Sequence, residues 1–190
     1  MKHVLVQSII NVPKDVKIRI KEKTIYTKGI NGELSKKFNN KNVNIIYKKN
    51  DSNSLIVRCY YNNKSSSAIV RTITSIIYNM IIGVSKGFTY LLKIVYSHFP
   101  ISVKYIQNEN TLEITNLFGL KRIDSFFIPS SVQVCTNNLN KKEIILLSKD
   151  IETLGILSSL IQNKCSINNK DCRVFIDGIY LASKEVNSLI

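Results

Sequence analysis

PKDVKIRIKEKTIYTKGING, residues 13–32, returns 87 positions later as PISVKYIQNENTLEITNLFG, residues 100–119. Without a gap, Pro13, Val16, Lys17, Thr24 and Gly32 reappear as Pro100, Val103, Lys104, Thr111 and Gly119, and Ile25 is replaced by the equivalent Leu112. In the first copy Val16-Lys17-Ile18-Arg19-Ile20 alternates at period two, and residues 24–28 resume after the turn Lys21-Glu22-Lys23. Alternation broken by a polar turn predicts a half-buried hairpin.

Working outward, Gly29-Ile30-Asn31-Gly32 reads as a turn, 34–38 as a third strand, and 43–47 and 55–60 as two more around a polar loop. These are expected to form one meander-like sheet. Over 64–82, Ile69, Ile73, Ile76, Ile77 and Met80 share one helical face, with Gly83 expected as the stop and Asn62 or Asn63 as the cap. The second copy repeats the scheme with strands at 103–106, 111–115, 132–135 and 143–147 and a helix at 150–164 striped by Ile151, Leu154, Leu157, Leu160 and Ile161. A last strand, 174–181, has no early counterpart. The pattern predicts an α+β protein of two tandem duplicated domains, 1–82 and 83–190, each an antiparallel or mixed sheet with one packed helix.

At 190 residues the chain is able to bury about 70 % of the surface its unfolded form exposes, and 44 % apolar with 21 % charged residues is ordinary globular usage. The net charge of +14 points to an anionic partner. It is uneven: 15 basic and 4 acidic residues precede Gly83, against 12 and 9 from there on. No uninterrupted apolar run reaches the roughly 18 residues of a membrane span, and the N-terminus lacks a secretory pattern. Cys59, Cys135, Cys165 and Cys172 are scattered, as expected of reduced thiols in an intracellular chain.

Catalytic constellations are sparse. His3 and His98 are the only histidines, and no motif supplies an orienting acid for Ser97-His98. Cys165 and Cys172 lack a second pair at metal-ligand spacing, so no metal is expected. Asp171 and Asp177 are too few for a metal-dependent nuclease. Gly29-x-x-Gly32 and Gly83-Val84-Ser85-Lys86-Gly87 match neither phosphate-loop pattern and read as turn and helix stop. No cofactor is implied.

Basic residues remain, placed at predicted turns: Lys21 and Lys23, Lys28, Lys36 and Lys37, Lys48 and Lys49, Lys121 and Arg122, Lys141 and Lys142, Lys170 and Arg173. Cations at hairpin tips suit a folded RNA surface, although a solvated edge that resists aggregation uses the same residues. The interleaved Phe88, Tyr90, Tyr96 and Phe99 offer base stacking, but the alternation Phe88-Thr89-Tyr90 equally suits a half-buried strand, and they are expected in the core. Recognition would then go through A-form shape and backbone.

The middle of the chain carries a resemblance. Val70-Arg71-Thr72-Ile73, Asn79-Met80-Ile81, Gly87-Phe88-x-Tyr90 and Val95-Tyr96-Ser97-His98-Phe99-Pro100-Ile101 closely resemble the sixth universal large-subunit ribosomal protein family, called protein nine in eukaryotes, in its eukaryotic form. Thr27-Lys28-Gly29-x-x-Gly32-x-Leu34, Asn116-x-x-Gly119-x-Lys121 and Lys170-Asp171-x-Arg173-x-Phe175-x-Asp177-Gly178-Ile179-Tyr180 extend it over nearly the whole chain. The resemblance implies a non-enzymatic constituent of the cytoplasmic large ribosomal subunit. It further implies contact with rRNA near the sarcin–ricin and factor-binding region, and neighbouring ribosomal proteins as partners. Carried over by motif, Lys170 and Arg173 are the first RNA contacts, Lys121 and Arg122 the next, and Lys86 and Lys93 follow. The alternative is an RNA-acting accessory factor or enzyme on the same fold, using Asp171, Asp177 or His98. A basic membrane-peripheral role ranks last, because neither helix carries a basic amphipathic face.

Overall fold

The computed structural model describes residues 5–39, 43–48, 53–60, 64–136, 142–167, 170–171 and 173–187. The chain divides into two compact units between Gly87 and Phe88. Both are α+β, and every strand pairing is antiparallel.

In the first unit the expected hairpin is β2 (Lys17–Lys21) and β3 (Thr24–Gly29), joined by a turn that holds Glu22 at φ 53°. Ile18, Ile25 and Thr27 point inward, so the alternation marks the buried face. Adding β4 (Gly32–Lys37) completes a three-stranded sheet in the order β2-β3-β4. The single meander expected from the sequence is not formed. β5 (Val43–Lys48) and β6 (Ser54–Tyr60) join β1 (Leu5–Asn11) in a second sheet, β1-β6-β5. The pairing that separates the sheets is made by β1, which lies before the hairpin.

α1 (Lys64–Ser85) packs on β1 and β6 of one sheet and on β3 and β4 of the other. Val70, Ile73, Ile77, Ile81 and Val84 recur at intervals of three and four and enter one core with Ile10, Ile25, Leu55 and Val57. Ala68–Ser85 is long and apolar enough to cross a membrane by length and composition, a match that the broken apolar run did not suggest. Its stripe is covered by the unit's own sheets. Gly83 lies inside the helix and does not stop it. Gly87 does, at φ 83° with its N–H on the Ile82 carbonyl. The candidate caps Asn62 and Asn63, like Lys49 and Lys141 at expected turns, lie outside the described residues.

The second unit repeats this order. β8 (Ser102–Ile106), β9 (Thr111–Thr115) and β10 (Ile123–Phe127) repeat β2-β3-β4, and β7 (Phe88–Val95), β12 (Glu143–Ser148) and β11 (Val132–Thr136) repeat β1-β6-β5. Buried Ile25 and Thr27 correspond to buried Leu112 and Ile114. α2 (Ile151–Lys164) starts at Asp150, whose carboxylate accepts the Glu152 N–H, and packs on β7 and β12. The last strand, β13 (Gly178–Val186), adds to the outer edge of β7. It starts later than the expected 174–181, because residues 174–177 belong to a loop. The first unit has no counterpart of β13 among the described residues.

Candidate nucleic-acid interface

The loop between α2 and β13 is built by Asp171. Its carboxylate accepts the N–H of Arg173 at 2.9 Å, and its carbonyl accepts those of Val174 and Phe175 at 3.1 and 3.0 Å. An Asx turn of this kind satisfies the backbone locally and leaves neighbouring side chains outside. Lys170 and Arg173 are therefore exposed, and so is Val174, at 71 %. The loop ends at Asp177, whose carboxylate accepts the Ser97 N–H at 2.9 Å and joins it to the segment following β7.

On that segment Phe99 is not in the core: it is 48 % exposed, whereas Phe88 and Tyr90 are buried as expected. Tyr96 is half-buried. Phe99 rests against the turn before β10. Gly119 there has φ 76°, and a Cβ on it would lie 2.9 Å from the Phe99 ring. Asn116, at φ 64°, donates its side-chain N–H to the Pro100 carbonyl at 2.9 Å. A bare glycine in the left-handed region thus lets the ring approach the turn, and Asn116 ties that turn to the residue after Phe99.

These segments enclose a cleft of about 670 Å³ in the second unit. Phe99, Phe118 and Phe175 line it, with Arg122, Lys164 and Lys170 as its cations. Arg122 is clamped by Asp124 at 2.8 Å, and the arginine side chain is 67 % exposed against 10 % for the carboxylate. The pair is anchored on the protein side and open on the other. Lys164 and Lys170 stand over the rings of Phe126 and Phe175, at 5.3 and 5.7 Å from their centroids. Below, Cys165 is fully buried, and its pKa is pushed up to about 12 by burial first and then by Asp124, with Lys164 opposing. It stays a thiol at neutral pH.

Of the residues singled out from the sequence, Lys170 and Arg122 line the cleft, and Lys121 and Arg173 are exposed beside them in the chain. Lys93 is elsewhere, on β7 in register with Glu143 and Tyr180, and Lys86 follows α1 in the first unit. Phe99, weighed from the sequence for base stacking and expected in the core, lines the cleft instead, and Lys164 and Phe175 join it without having been singled out. Their signals are a lysine in the last turn of a helix and an aromatic between the charges of the Lys170 to Tyr180 motif. His98 and Asp177 also line the cleft, but Asp177, like Asp171, is bonded to backbone N–H groups. Among the described residues no three His, Cys, Asp or Glu side chains are grouped to hold a metal ion. Cys59 and Cys165 are buried free thiols and Cys135 an exposed one, while Cys172 lies outside the described residues.

In the first unit, Lys17, Arg19 and Lys21 lie on the exposed side of β2, with Tyr26 in register with Arg19, along a groove of about 530 Å³. Lys28 there is ion-paired with Glu33. The Gly29-x-x-Gly32 turn docks on the end of α1, the N–H of Asn31 reaching the Val84 carbonyl at 3.0 Å.

A family model described as Ribosomal protein L6 matches residues 12–87. The protein named Large ribosomal subunit protein uL6 of Candida albicans is 31 % identical over 97 % of this chain and 96 % of its own length. The protein of the same name from the archaeon Sulfurisphaera tokodaii is 36 % identical over 98 % and 96 %. Large ribosomal subunit protein uL6A of Saccharomyces cerevisiae is 31 % identical over 97 % and 96 %.

Proposed function

The chain belongs to the ribosomal protein L6 (uL6) family, and from that premise we propose that it is a structural constituent of the large ribosomal subunit in the cytoplasm, binding rRNA near the sarcin–ricin and factor-binding region. Its other partners are neighbouring large-subunit proteins. The observation that carries this reading is the cleft of the second unit, where Lys170, Lys164 and Arg122 converge while the two acids beside them, Asp124 and Asp177, are already bonded within the protein. With Arg122 and Asp124 offsetting each other, Lys164 and Lys170 outweigh Asp177 and leave a net positive mouth. A phosphate entering it releases its condensed counterions. Arg122, fixed from behind by Asp124, presents its outer N–H groups in a set orientation, the geometry in which guanidinium forks onto phosphate oxygens. Lys121 and Arg173 extend the contact along the rim.

Sucrose-gradient fractionation of a tagged copy tests the reading, with sedimentation in large subunits at moderate salt as the expected result. Recovery only in the free fraction refutes it. With a large-subunit rRNA fragment, Lys170→Ala combined with Arg173→Ala lowers affinity and reduces the slope of log affinity against log salt by about 0.7–0.9 for each phosphate no longer neutralised. Unaltered affinity and slope remove these two residues from the interface.

A further inference from the structure

The cleft differs from a surface that reads only the backbone of an A-form helix. Its cations stand beside open aromatic rings: Phe99 is 48 % and Phe175 47 % exposed. Both belong to walls that the protein holds in place. Phe99 lies against the bare Gly119, and the Phe175 loop is tied by Asp171 to its own backbone and by Asp177 to Ser97. A duplex presents phosphates and groove edges, with its base faces stacked inside. A loop or bulge presents an unstacked base, and proteins take such bases on aromatic side chains with cations alongside.

We propose that this cleft binds one unstacked nucleobase of an RNA loop or bulge, stacked on Phe175 and Phe99, with its flanking phosphates held by Lys170, Lys164 and Arg122. The inference rests on the rRNA-binding reading and narrows it from phosphate contact to a base-binding pocket. The cleft, at about 670 Å³, falls within the roughly 300–1,000 Å³ range of sites that enclose small-ligand-sized groups. Charge decides between occupants. An apolar protein segment would satisfy the rings but leave Lys164 and Lys170, which have no ion pair among the described residues, facing no anion, whereas a nucleotide supplies both a flat apolar face and an anion. Stacking carries little sequence preference, because every base has a π-face.

The test uses the full chain with two RNA probes of equal charge, a blunt A-form duplex and a hairpin with an unpaired loop carrying 2-aminopurine. Tighter binding to the hairpin, with quenched 2-aminopurine fluorescence, is expected. Phe175→Leu weakens hairpin binding about 5- to 150-fold, the range of one base–aromatic stack, and leaves the salt slope unchanged because every phosphate keeps its cation. Phe99→Leu does the same. Because Phe99 packs on Gly119, thermal unfolding is compared for both variants, and Phe175→Leu decides if Phe99→Leu melts early. Equal binding to duplex and hairpin, with Phe175→Leu neutral and Lys170→Ala weakening both, overturns the base pocket and leaves the phosphate reading standing. Phe175→Leu that impairs incorporation into large subunits without altering hairpin binding assigns the cleft to a protein segment and also overturns it. No binding to either probe removes both readings.

Discussion

The carboxylate of Asp177 accepts the backbone N–H of Ser97 at 2.9 Å, a single bond joining positions 80 residues apart. It links the Ser97-His98-Phe99-Pro100 and Asp177-Gly178-Ile179-Tyr180 motifs, which the sequence presents as unrelated. Gly178 follows at φ 153°, where a Cβ would lie 3.1 Å from the Cys165 carbonyl. The motif therefore fixes the entry into β13 and one wall of the cleft.

Asp177→Ala leaves the Ser97 N–H without its acceptor. The site is solvent-accessible, so water takes part of the role, and the expected loss is about 1 kcal/mol, the size of an ordinary net hydrogen bond. Urea unfolding of the full chain measures it. Asp177→Asn keeps an acceptor oxygen and stays near the parent, whereas equal losses in both variants would mean that charge, not acceptance, matters.

Two glycines with opposite surroundings make a second comparison. A Cβ at Gly29 would lie 2.5 Å from the Val84 carbonyl oxygen, backbone that cannot swing aside, at the junction where Asn31 caps the end of α1. Gly29→Ala is expected to cost about 1–3 kcal/mol, in the range of overpacking that forces backbone shifts. Gly155, inside α2, has nothing within 4 Å of the added atom. Gly155→Ala gains about 0.5–1 kcal/mol from helix propensity. Denaturant midpoints of the two variants on either side of the parent confirm the pair, and a neutral Gly29→Ala refutes the close approach.

Cys165 makes stability pH-dependent in alkali. Its ordinary value is 9.0, and burial, reinforced by Asp124, pushes it up to about 12. The unfolded chain therefore releases this proton first. The contribution is complete below the unfolded value and is lost as pH climbs from about 9 toward the folded value. Under reducing conditions, urea midpoints should fall across this window by less in Cys165→Ala than in the parent. Parallel curves would show that the thiol does not titrate on unfolding.

The parts of the fold legible in the sequence are those where alternation and burial coincide. Ile18, Ile25 and Leu112 sit inward where period two puts them, and the spacing of three and four along α1 marks its core face. β10 escaped because its pattern is inverted. Asp124 and Phe126 face inward while Ile123 and Phe127 are exposed, an arrangement that works because the buried carboxylate has Arg122. Residues 174–176 misled in the other direction. Val174, Phe175 and Ile176 have strand-like side chains, yet Asp171 holds the start of this run in a turn and all three are exposed. In the candidate site the cations at turns were legible from type and position. The aromatic wall was not, since whether Phe99 packs or faces outward depends on Gly119, which is distant in the chain and visible only once β9 and β10 have paired.

The two units also differ at one sheet edge, and amide exchange reads that difference directly. The N–H of Val12 donates to the Asn53 carbonyl at 2.8 Å, in step with the β1–β6 register in which Asn11 faces Ser54. Antiparallel ladders alternate, so the N–H groups of Val6, Ser8 and Ile10 point at β6 and those of Leu5, Gln7, Ile9 and Asn11 at the outer edge. In the second unit the Ile94 N–H donates to the Lys142 carbonyl at 2.8 Å, which sets the same parity, but the outward groups of Lys93 and Leu91 meet β13 at Tyr180 and Ser183. Residues along β1 of the free protein should therefore alternate between slow and fast hydrogen exchange, while those along β7 are slow throughout. β1 offers no charged residue over Leu5–Asn11 to keep another strand away. Uniform protection along β1 in dilute solution would show that its edge is covered, and would remove this asymmetry between the two copies.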